Sequence, residues 1–190
     1  MKVDVDLVNW ATECATSLLS SLGNRWLHVQ GVVKCANQVS EVLSEDDRPY
    51  LIAAAYLHDI GYAPSLKKTG FHPLDGAIYL RSLGHERLAS LVAHHSGARF
   101  EAQLRGYAVE LDAFPRERSA TADALTYCDL TTGPLGEYIS LKERAQDIFS
   151  RYGDSDIVAQ AFRQAMPSVS LAVARTTLRL RKHELLEDRH

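Results

Sequence analysis

The chain is poor in cysteine and has no apolar run long enough to span a membrane. Its 190 residues include three cysteines, Cys14, Cys35 and Cys128, none of them in a Cys-x-x-Cys spacing. A sparse, odd set predicts reduced thiols and a cytoplasmic location, and it argues against a disulfide framework. The first ten residues, MKVDVDLVNW, mix acidic with apolar residues, so they predict neither a signal peptide nor a membrane anchor.

The sequence also lacks an excess of positive charge. Its net charge of −3 gives no overall nucleic-acid footprint, so a nucleic-acid polymer is not an expected partner. One basic cluster lies near the end of the chain, and acidic residues follow it at once, which indicates a solvated helix face. The cluster consists of Arg175, Arg179, Arg181 and Lys182.

Strand patterns and internal repeats are absent too, and helical periodicity takes their place. With 46% hydrophobic and 24% charged residues, the composition is that of one globular domain spanning residues 1–190. Apolar residues recur at three- and four-residue spacings. They predict an all-α helical bundle with helices at about 5–22, 25–43, 50–61, 73–83, 85–95, 117–130, 139–151, 155–165 and 167–186. Residues 98–116 are expected to be less regular and lid-like, and Pro167 is expected in a first helical turn.

One apolar stretch, YLIAAAYLHDIG, stands out because it ends in a histidine and an aspartate, His58 and Asp59. Eight apolar residues precede the pair and predict a helix buried on most of its circumference. Gly61 is expected to end this helix in a left-handed conformation. A buried carboxylate is costly unless it is paired, and a divalent metal would pair it. A hydrogen-bonded cap or an ion pair is the alternative.

Further histidines and an aspartate lie near other predicted helix ends. A helical bundle can direct several such ends toward one cleft. Taken singly, each residue is better explained as a satisfied surface or core group, but the joint pattern favours a common site. The residues are His28, His72, His94, His95 and Asp129.

The ordered pattern resembles the HD-domain superfamily of metal-dependent phosphohydrolases. Its H…HD…D motif is matched by His28 in RWLHVQGV, His58-Asp59 in LHDIGYA and Asp129 in DALTYCDLTTGP, so the resemblance covers about residues 24–134. It implies an all-α fold in which these four residues hold a first metal. It also implies that Asp59 and His58 are the catalytic pair, with Asp59 bridging to a second metal where one is present.

The extra histidines resemble those of the binuclear members of the superfamily. That branch includes bacterial dinucleoside-polyphosphate hydrolases and the HD-GYP cyclic-dinucleotide phosphodiesterases. The segment RWLHVQGV resembles the former more closely, and the GYP signature that marks the latter is absent. By this resemblance His72 and His94 or His95 complete a second site. Mixed histidine and carboxylate ligands suit one or two Mn, Fe, Ni, Co or Zn ions.

Four cations are predicted to contact substrate phosphates. Arg25 precedes His28 by one helical turn, Lys67 and Lys68 follow the His-Asp pair in a loop, and Arg99 follows the histidine pair. For each of them, a solvated surface cation is the alternative interpretation.

These observations predict a phosphohydrolase that uses a metal-activated water to cleave a phosphoester or phosphoanhydride of a small molecule, most readily a nucleotide. Two alternatives stay open: an HD-type di-iron oxygenase, whose ligand set is similar, and a non-catalytic nucleotide-binding regulatory module. The expected partners are a small phosphorylated substrate and a second copy of the chain in a homodimer, with no membrane involved.

Overall fold

The structure, a computed structural model, describes the backbone of residues 2–187 and the side chains of residues 6–186. Its α-helices are α1 (Lys2–Leu19), α2 (Asn24–Ser40), α3 (Arg48–Leu57), α4 (His72–Ser82), α5 (Glu86–His94), α6 (Ala98–Arg105), α7 (Ala108–Asp112), α8 (Ala120–Leu130), α9 (Leu141–Tyr152) and α10 (Ile157–Glu187). Within the described residues there is no strand, only an isolated bridge between Thr132 and Tyr138. The all-α prediction is confirmed.

Helix α3 is the centre of the bundle and packs against α1, α2, α5 and α8. Its sequence, RPYLIAAAYL, is apolar on nearly every face, and Leu51, Ala54 and Leu57 are fully buried. The alanines allow neighbouring helices to approach closely because they carry little side-chain volume. His58 and Asp59 therefore follow α3 deep inside the molecule, where they are also buried.

The end of α3 differs from the prediction. The helix stops at Leu57, and Gly61 lies in a 3-10 turn, Ile60–Tyr62, instead of ending a longer helix with a left-handed conformation. Close packing is the physical reason for a glycine here. A Cβ atom on Gly61 would lie 2.0 Å from the His72 carbonyl oxygen and 2.8 Å from the Gly76 nitrogen. Gly61 thus lets the turn rest against the start of α4.

Residues 98–116 are more regular than expected. They form two short helices, α6 and α7, joined at Gly106, which has a φ of 82°. Ala102, Leu111 and Phe114 are buried against the rest of the bundle. Tertiary burial of these few apolar residues explains why helices form where the sequence periodicity is weak.

The C-terminal part is one helix, although a break at Pro167 was expected. Pro167 lies inside α10, which continues to Glu187. A proline removes one helical hydrogen bond and crowds the preceding turn. Packing on both sides compensates, because Ala165 and Val169 are buried and α10 contacts α6, α8 and α9.

The segment after α8 folds back onto α2 through two glycines. A Cβ atom on Gly31 would lie 2.5 Å from the Gly136 Cα atom, and one on Gly136 would lie 2.6 Å from the Leu27 carbonyl oxygen. Gly136 also has a φ of 83°. This close contact brings the Gly133 carbonyl group to His28. No helix in the described part of the chain combines the length and the apolar character needed to cross a membrane.

Candidate metal centre

Six histidine and aspartate side chains meet where α2, α3, α4, α5 and α8 converge. They form two groups whose possible ligand atoms lie within 4.8 Å of one another. The first trio is His28, His58 and Asp129, and the second trio is Asp59, His72 and His95. All of them are buried except His72, which is partly exposed.

The first trio joins α2, the end of α3 and α8. His28 Nε2 lies 3.1 Å from Asp129 Oδ1, and the rings of His28 and His58 are 5.5 Å apart in an edge-to-face arrangement. Asp129 occupies the next-to-last position of α8, so its carboxylate reaches inward as the helix ends. Three separate helices must pack correctly for these donors to meet.

The second trio joins the segment after α3, the start of α4 and the turn after α5. His72 Nε2 lies 3.2 Å from Asp59 Oδ1 and 3.3 Å from His95 Nε2. The two trios adjoin through the consecutive residues His58 and Asp59, with His58 Nε2 3.5 Å from Asp59 Oδ2. Donor atoms bound at 2.0–2.2 Å to one ion lie about 3 Å apart. The observed separations are therefore close to those of ligands around a shared ion.

Hydrogen bonds to the protein backbone orient three of the histidines. Each donates its Nδ1–H to a carbonyl oxygen: His28 to Gly133 at 3.1 Å, His58 to Ala55 at 2.8 Å and His95 to Val92 at 2.6 Å. This fixes the tautomer and leaves Nε2 with its lone pair facing the trios. His58 Nε2 is buried and has no hydrogen-bond partner. An orphaned buried acceptor of this kind suits a metal ion.

The charge states also suit metal ligation. Burial opposes ionisation of Asp59, but Arg25, His58 and His72 outweigh it and hold the pKa of Asp59 well below its usual range. The pKa of Asp129 is likewise lowered, because contacts with His28 and His58 outweigh its burial. Burial lowers the pKa of His58, as it also does for His72 and His95. Neutral imidazoles and ionised carboxylates are the forms that bind metals.

Arg25 lies beside the second trio, as its place one turn before His28 suggested. Its Nη1 atom is 2.5 Å from Asp59 Oδ2, and its guanidinium lies 4.0 Å above the Tyr62 ring. Tyr62 also stacks on His72, with ring centroids 4.1 Å apart. Arg25 is 27% exposed, so it lies between the buried carboxylate and solvent.

Sequence reasoning missed two residues that contact Asp129. Ser96 donates its hydroxyl to Asp129 Oδ2 and adopts a φ of 49°, the only positive φ of a described residue other than glycine. Arg144, on α9, is buried with Nη2 3.8 Å from Asp129 Oδ1. A signal for Arg144 did exist. It falls on the apolar face of α9 set by Ala145 and Ile148, where a charged residue needs a partner.

A third missed residue, Asp75, orders the loop before His72. It is buried in the first turn of α4 and accepts hydrogen bonds from Thr69 N and Oγ1, each at 2.9 Å, and from Gly70 N at 3.1 Å. Asp75 therefore holds the loop that contains Thr69 and Gly70 against α4, the helix that carries His72. An aspartate within the first turn of a predicted helix was the available signal.

The structure brings His95 to the trios but not His94. His94 Nε2 donates a 2.7 Å hydrogen bond to the Phe114 carbonyl oxygen, on the other side of the turn. Adjacent helical residues point about 100° apart, and at His95 the backbone becomes extended, with a ψ of 149°. Of the predicted pair, only His95 therefore belongs to a trio.

The remaining predicted cations lie apart from the trios. Lys67 and Lys68 are exposed on the loop before α4 and have no ion pair within the described residues. Arg99 is at the start of α6, where its guanidinium lies 4.4 Å from the Phe100 ring centroid. It lines a groove together with Arg175 and Arg179 from the basic cluster of α10, which was expected to be a solvated face.

Comparison with known proteins gives one match. A family model described as HD domain matches residues 25–152, more than half of the chain. The match extends past the predicted motif region to include α9 and Arg144. No curated protein and no solved structure matches the chain.

Proposed function

Because the chain belongs to the HD domain family, a superfamily of metal-dependent phosphohydrolases, we propose that it hydrolyses a phosphoester or phosphoanhydride of a small molecule, with a nucleotide as the preferred class. One observation carries the proposal: two adjoining trios of histidine and aspartate at the end of α3, with Arg25 beside them. The family membership confirms the resemblance read from the H…HD…D pattern.

The two trios would hold one or two divalent transition-metal ions, for which their mixed nitrogen and oxygen donors are suited. When bound, such ions supply Lewis acidity, which lowers the pKa of water and polarises phosphoryl oxygens. The chain contributes orientation: the Nδ1 hydrogen bonds of His28, His58 and His95 hold the imidazoles in place. Asp59 lies where the trios adjoin and is the residue we propose to bridge them.

Arg25 has a second role in this proposal. It balances the charge of buried Asp59, and its partly exposed guanidinium can contact a phosphate entering from solvent. The guanidinium lies 4.0 Å from the centroid of the Tyr62 ring, and the same ring stacks on His72. Lys67 and Lys68 are exposed on the neighbouring loop. We propose them as further phosphate contacts.

A second candidate function, a di-iron oxygenase, is favoured by the donor sets themselves. Each trio contains two histidines and one carboxylate, which is the ligand set typical of non-haem iron oxygenases. The loop that carries Lys67 and Lys68 fits this candidate as well, because oxygenase substrates can be phosphonates, which are anionic. Dependence on oxygen separates the two functions.

The test begins with untagged protein purified without chelator, its metal content measured by mass spectrometry. The protein is then loaded with manganese, iron, nickel, cobalt or zinc and assayed on nucleoside mono- and triphosphates and on dinucleoside polyphosphates. We expect metal-dependent product release that falls by about 100-fold or more in Asp59→Asn, because losing a charged ligand costs several kcal/mol. Asp112→Asn, at an exposed position of α7, is the matched control.

Two outcomes would overturn the hydrolase proposal. One is the absence of hydrolysis by fully metal-loaded protein across the whole panel. The other is turnover that requires iron, consumes oxygen and stops under anaerobic conditions, which would favour the oxygenase. Tight nucleotide binding by protein that holds no metal would instead support the non-catalytic module.

A further inference from the structure

A groove of about 530 Å³ lies between α5, the start of α8 and α10. This volume is within the range of small-molecule sites. Of the six residues in the two trios, only His95 lines it. The turn from His94 to Gly97 contributes to the lining, and the His95 ring on that turn also lies 3.3 Å from His72 of the second trio. We call it the arginine groove.

The arginine groove carries an excess of positive charge. Five arginines line it, against two carboxylates, Glu117 and Asp123. Glu117 is already engaged by Arg87, a residue outside the lining, through two contacts of 2.9 Å. Asp123 is therefore the one lining carboxylate that faces the arginines, and it lies 3.8 Å from Arg175 and 3.6 Å from Arg179.

Three of the five arginines have no carboxylate partner among the residues whose side chains the structure describes. They are Arg99, Arg116 and Arg118. Burial, followed by repulsion from Arg99 and Arg118, lowers the pKa of Arg116. Arg179 Nη1 is buried without a hydrogen-bond partner. Arg99, Arg116 and Arg118 are exposed, so they are accessible to a ligand from solvent. A bound anion would relieve the repulsion among them and accept from the buried Arg179 donor.

The start of α8 adds to the positive charge of the arginine groove. Ser119 caps the helix by accepting from the Ala122 amide at 3.1 Å, and Ala120 and Ala122 line the arginine groove. An 11-residue helix presents unpaired N–H groups and partial positive charge at its first turn. The guanidinium groups and this helix end therefore face the same space.

We propose that the arginine groove binds a small polyphosphate anion, of the class carried by nucleoside di- and triphosphates, at a position separate from the metal centre. Several guanidinium groups spread along a groove match a chain of phosphates better than a single one, since each phosphate can accept a bidentate pair. The inference does not depend on the proposed hydrolysis, because it concerns binding by other residues.

The groove ligand would also contact the wall that carries His95. His94, His95 and Gly97 all line the arginine groove, and the His95 ring also belongs to the second trio. A Cβ atom on Gly97 would lie 2.8 Å from the Ala165 side chain, so this turn packs tightly against α10. A ligand in the groove would therefore lie beside the turn that positions His95.

The test measures binding of inorganic triphosphate to the full-length chain by isothermal titration calorimetry, without added divalent metal. We expect saturable binding that weakens at least tenfold in the double variant Arg116→Gln/Arg118→Gln and that weakens with added salt. The matched control is Lys142→Gln/Arg105→Gln, which removes the same charge from exposed positions outside the groove. Circular dichroism confirms that each variant is folded.

Asp59→Asn separates this site from the metal centre. Retained triphosphate binding in Asp59→Asn, together with loss in the arginine variant, supports the groove. Two results overturn the proposal: equal binding by the arginine variant and its control, or binding that disappears in Asp59→Asn and survives in the arginine variant. Failure of the hydrolysis assay would leave this measurement unaffected.

Discussion

At the scale of single residues, a few hydrogen bonds decide what each side chain can do. His94 and His95 are neighbours, yet His94 donates Nε2–H to Phe114 and His95 donates Nδ1–H to Val92. The first bond directs the His94 ring away from the trios, and the second leaves His95 Nε2 free to face His72. The difference arises because α5 ends between them.

Ser96 shows how a residue can be retained at an unfavourable backbone conformation. Its φ of 49° costs a residue with a Cβ atom about 1 kcal/mol. Its hydroxyl donates to Asp129 and so helps to orient a carboxylate of the first trio. We expect Ser96→Ala to weaken metal binding about tenfold, as is typical when a group supporting a ligand is removed.

A glycine at the same position distinguishes the two effects. Ser96→Gly also loses the hydroxyl, but it relieves the backbone, so it should be about 1 kcal/mol more stable than Ser96→Ala. Urea unfolding and metal titration measure these quantities. Ser17→Ala, which removes an exposed hydroxyl from α1, is the control. Equal stability of the two Ser96 variants would contradict the strain argument.

At the scale of secondary-structure elements, close contacts set the relative positions of the helices that carry the two trios. Gly61 allows the Ile60–Tyr62 turn to touch the start of α4, where His72 lies. Gly76 meets the same turn from within α4, since its Cβ would lie 3.2 Å from the Ile60 side chain. Close packing therefore accounts for glycine at both positions.

We expect Gly61→Ala to destabilise the protein by about 3 kcal/mol or more, because overpacking against backbone atoms cannot be relieved by a side-chain rotation. The 2.0 Å approach to the His72 carbonyl must be relieved by moving α4. Gly84→Ala is the matched control: Gly84 has a positive φ but no atom within 4 Å of an added Cβ. Thermal unfolding should show a smaller loss there. Equal losses would mean that packing at Gly61 is unimportant.

An ion-pair cluster joins three elements away from the metal centre. Arg87 on α5 contacts Asp47, just before α3, at 2.6 Å and Glu117, before α8, at 2.9 Å. Hydrogen bonding from Arg87 lowers the pKa of Asp47. In Glu117 burial opposes that effect, but the bonds from Arg87 prevail and the pKa is lowered as well.

These lowered pKa values predict how stability depends on pH. Carboxylates whose pKa is depressed by folding stabilise the protein above their unfolded values, about 3.9 for aspartate and 4.3 for glutamate. That stability is lost as pH falls through the lower folded values. We expect Arg87→Met to cost about 1 kcal/mol at pH 7, since the groups are partly exposed, and progressively less below pH 4.

Urea unfolding from pH 7 to pH 3 measures this difference between wild type and variant. The control is Arg105→Met, which breaks an ion pair with Glu101 within the single helix α6. At neutral pH, Arg105→Met should lower the free energy of unfolding by less than Arg87→Met does. A difference between wild type and Arg87→Met that stays constant down to pH 3 would contradict the assignment.

The helices and the site were predictable to different degrees. Alternating polar and apolar faces predicted most helices, and the H…HD…D pattern indicated where the ligands would come from. Pro167 and residues 98–116 were misread because tertiary packing outweighs local propensity. Helix α10, which contains Pro167, packs against α8, and α6 packs against α10. Ser96 and Arg144 were missed because their contacts with Asp129 depend on the fold, and neither belongs to the motif.

At the scale of the whole molecule, the metal centre connects distant parts of the chain. His28 and Asp129 are separated by 101 positions and meet only in the folded state. A ligand that binds the folded state alone raises its stability, by about 2.7 kcal/mol at 100 times its dissociation constant. Metal binding should therefore stabilise the entire bundle.

We expect removal of metal by a chelator to lower the melting temperature of the loaded protein by about 5–10 °C, since 1 kcal/mol corresponds to about 2–4 °C at this size. Differential scanning fluorimetry with and without chelator measures the shift. Asp129→Asn, which removes the carboxylate of the first trio, should show a much smaller shift. An unchanged melting temperature on chelation would contradict the assignment of the trios.

The 101-position separation of His28 from Asp129 also has a kinetic consequence during synthesis. When α2 leaves the ribosome, its histidine has no partner, and it stays so until α8 and the Gly133 segment have been made. Closing a loop of that length costs about 4 kcal/mol of chain entropy before any contact is gained. The first trio can therefore be completed only after most of the chain has been translated, and a truncated nascent product ending before residue 129 would lack its carboxylate.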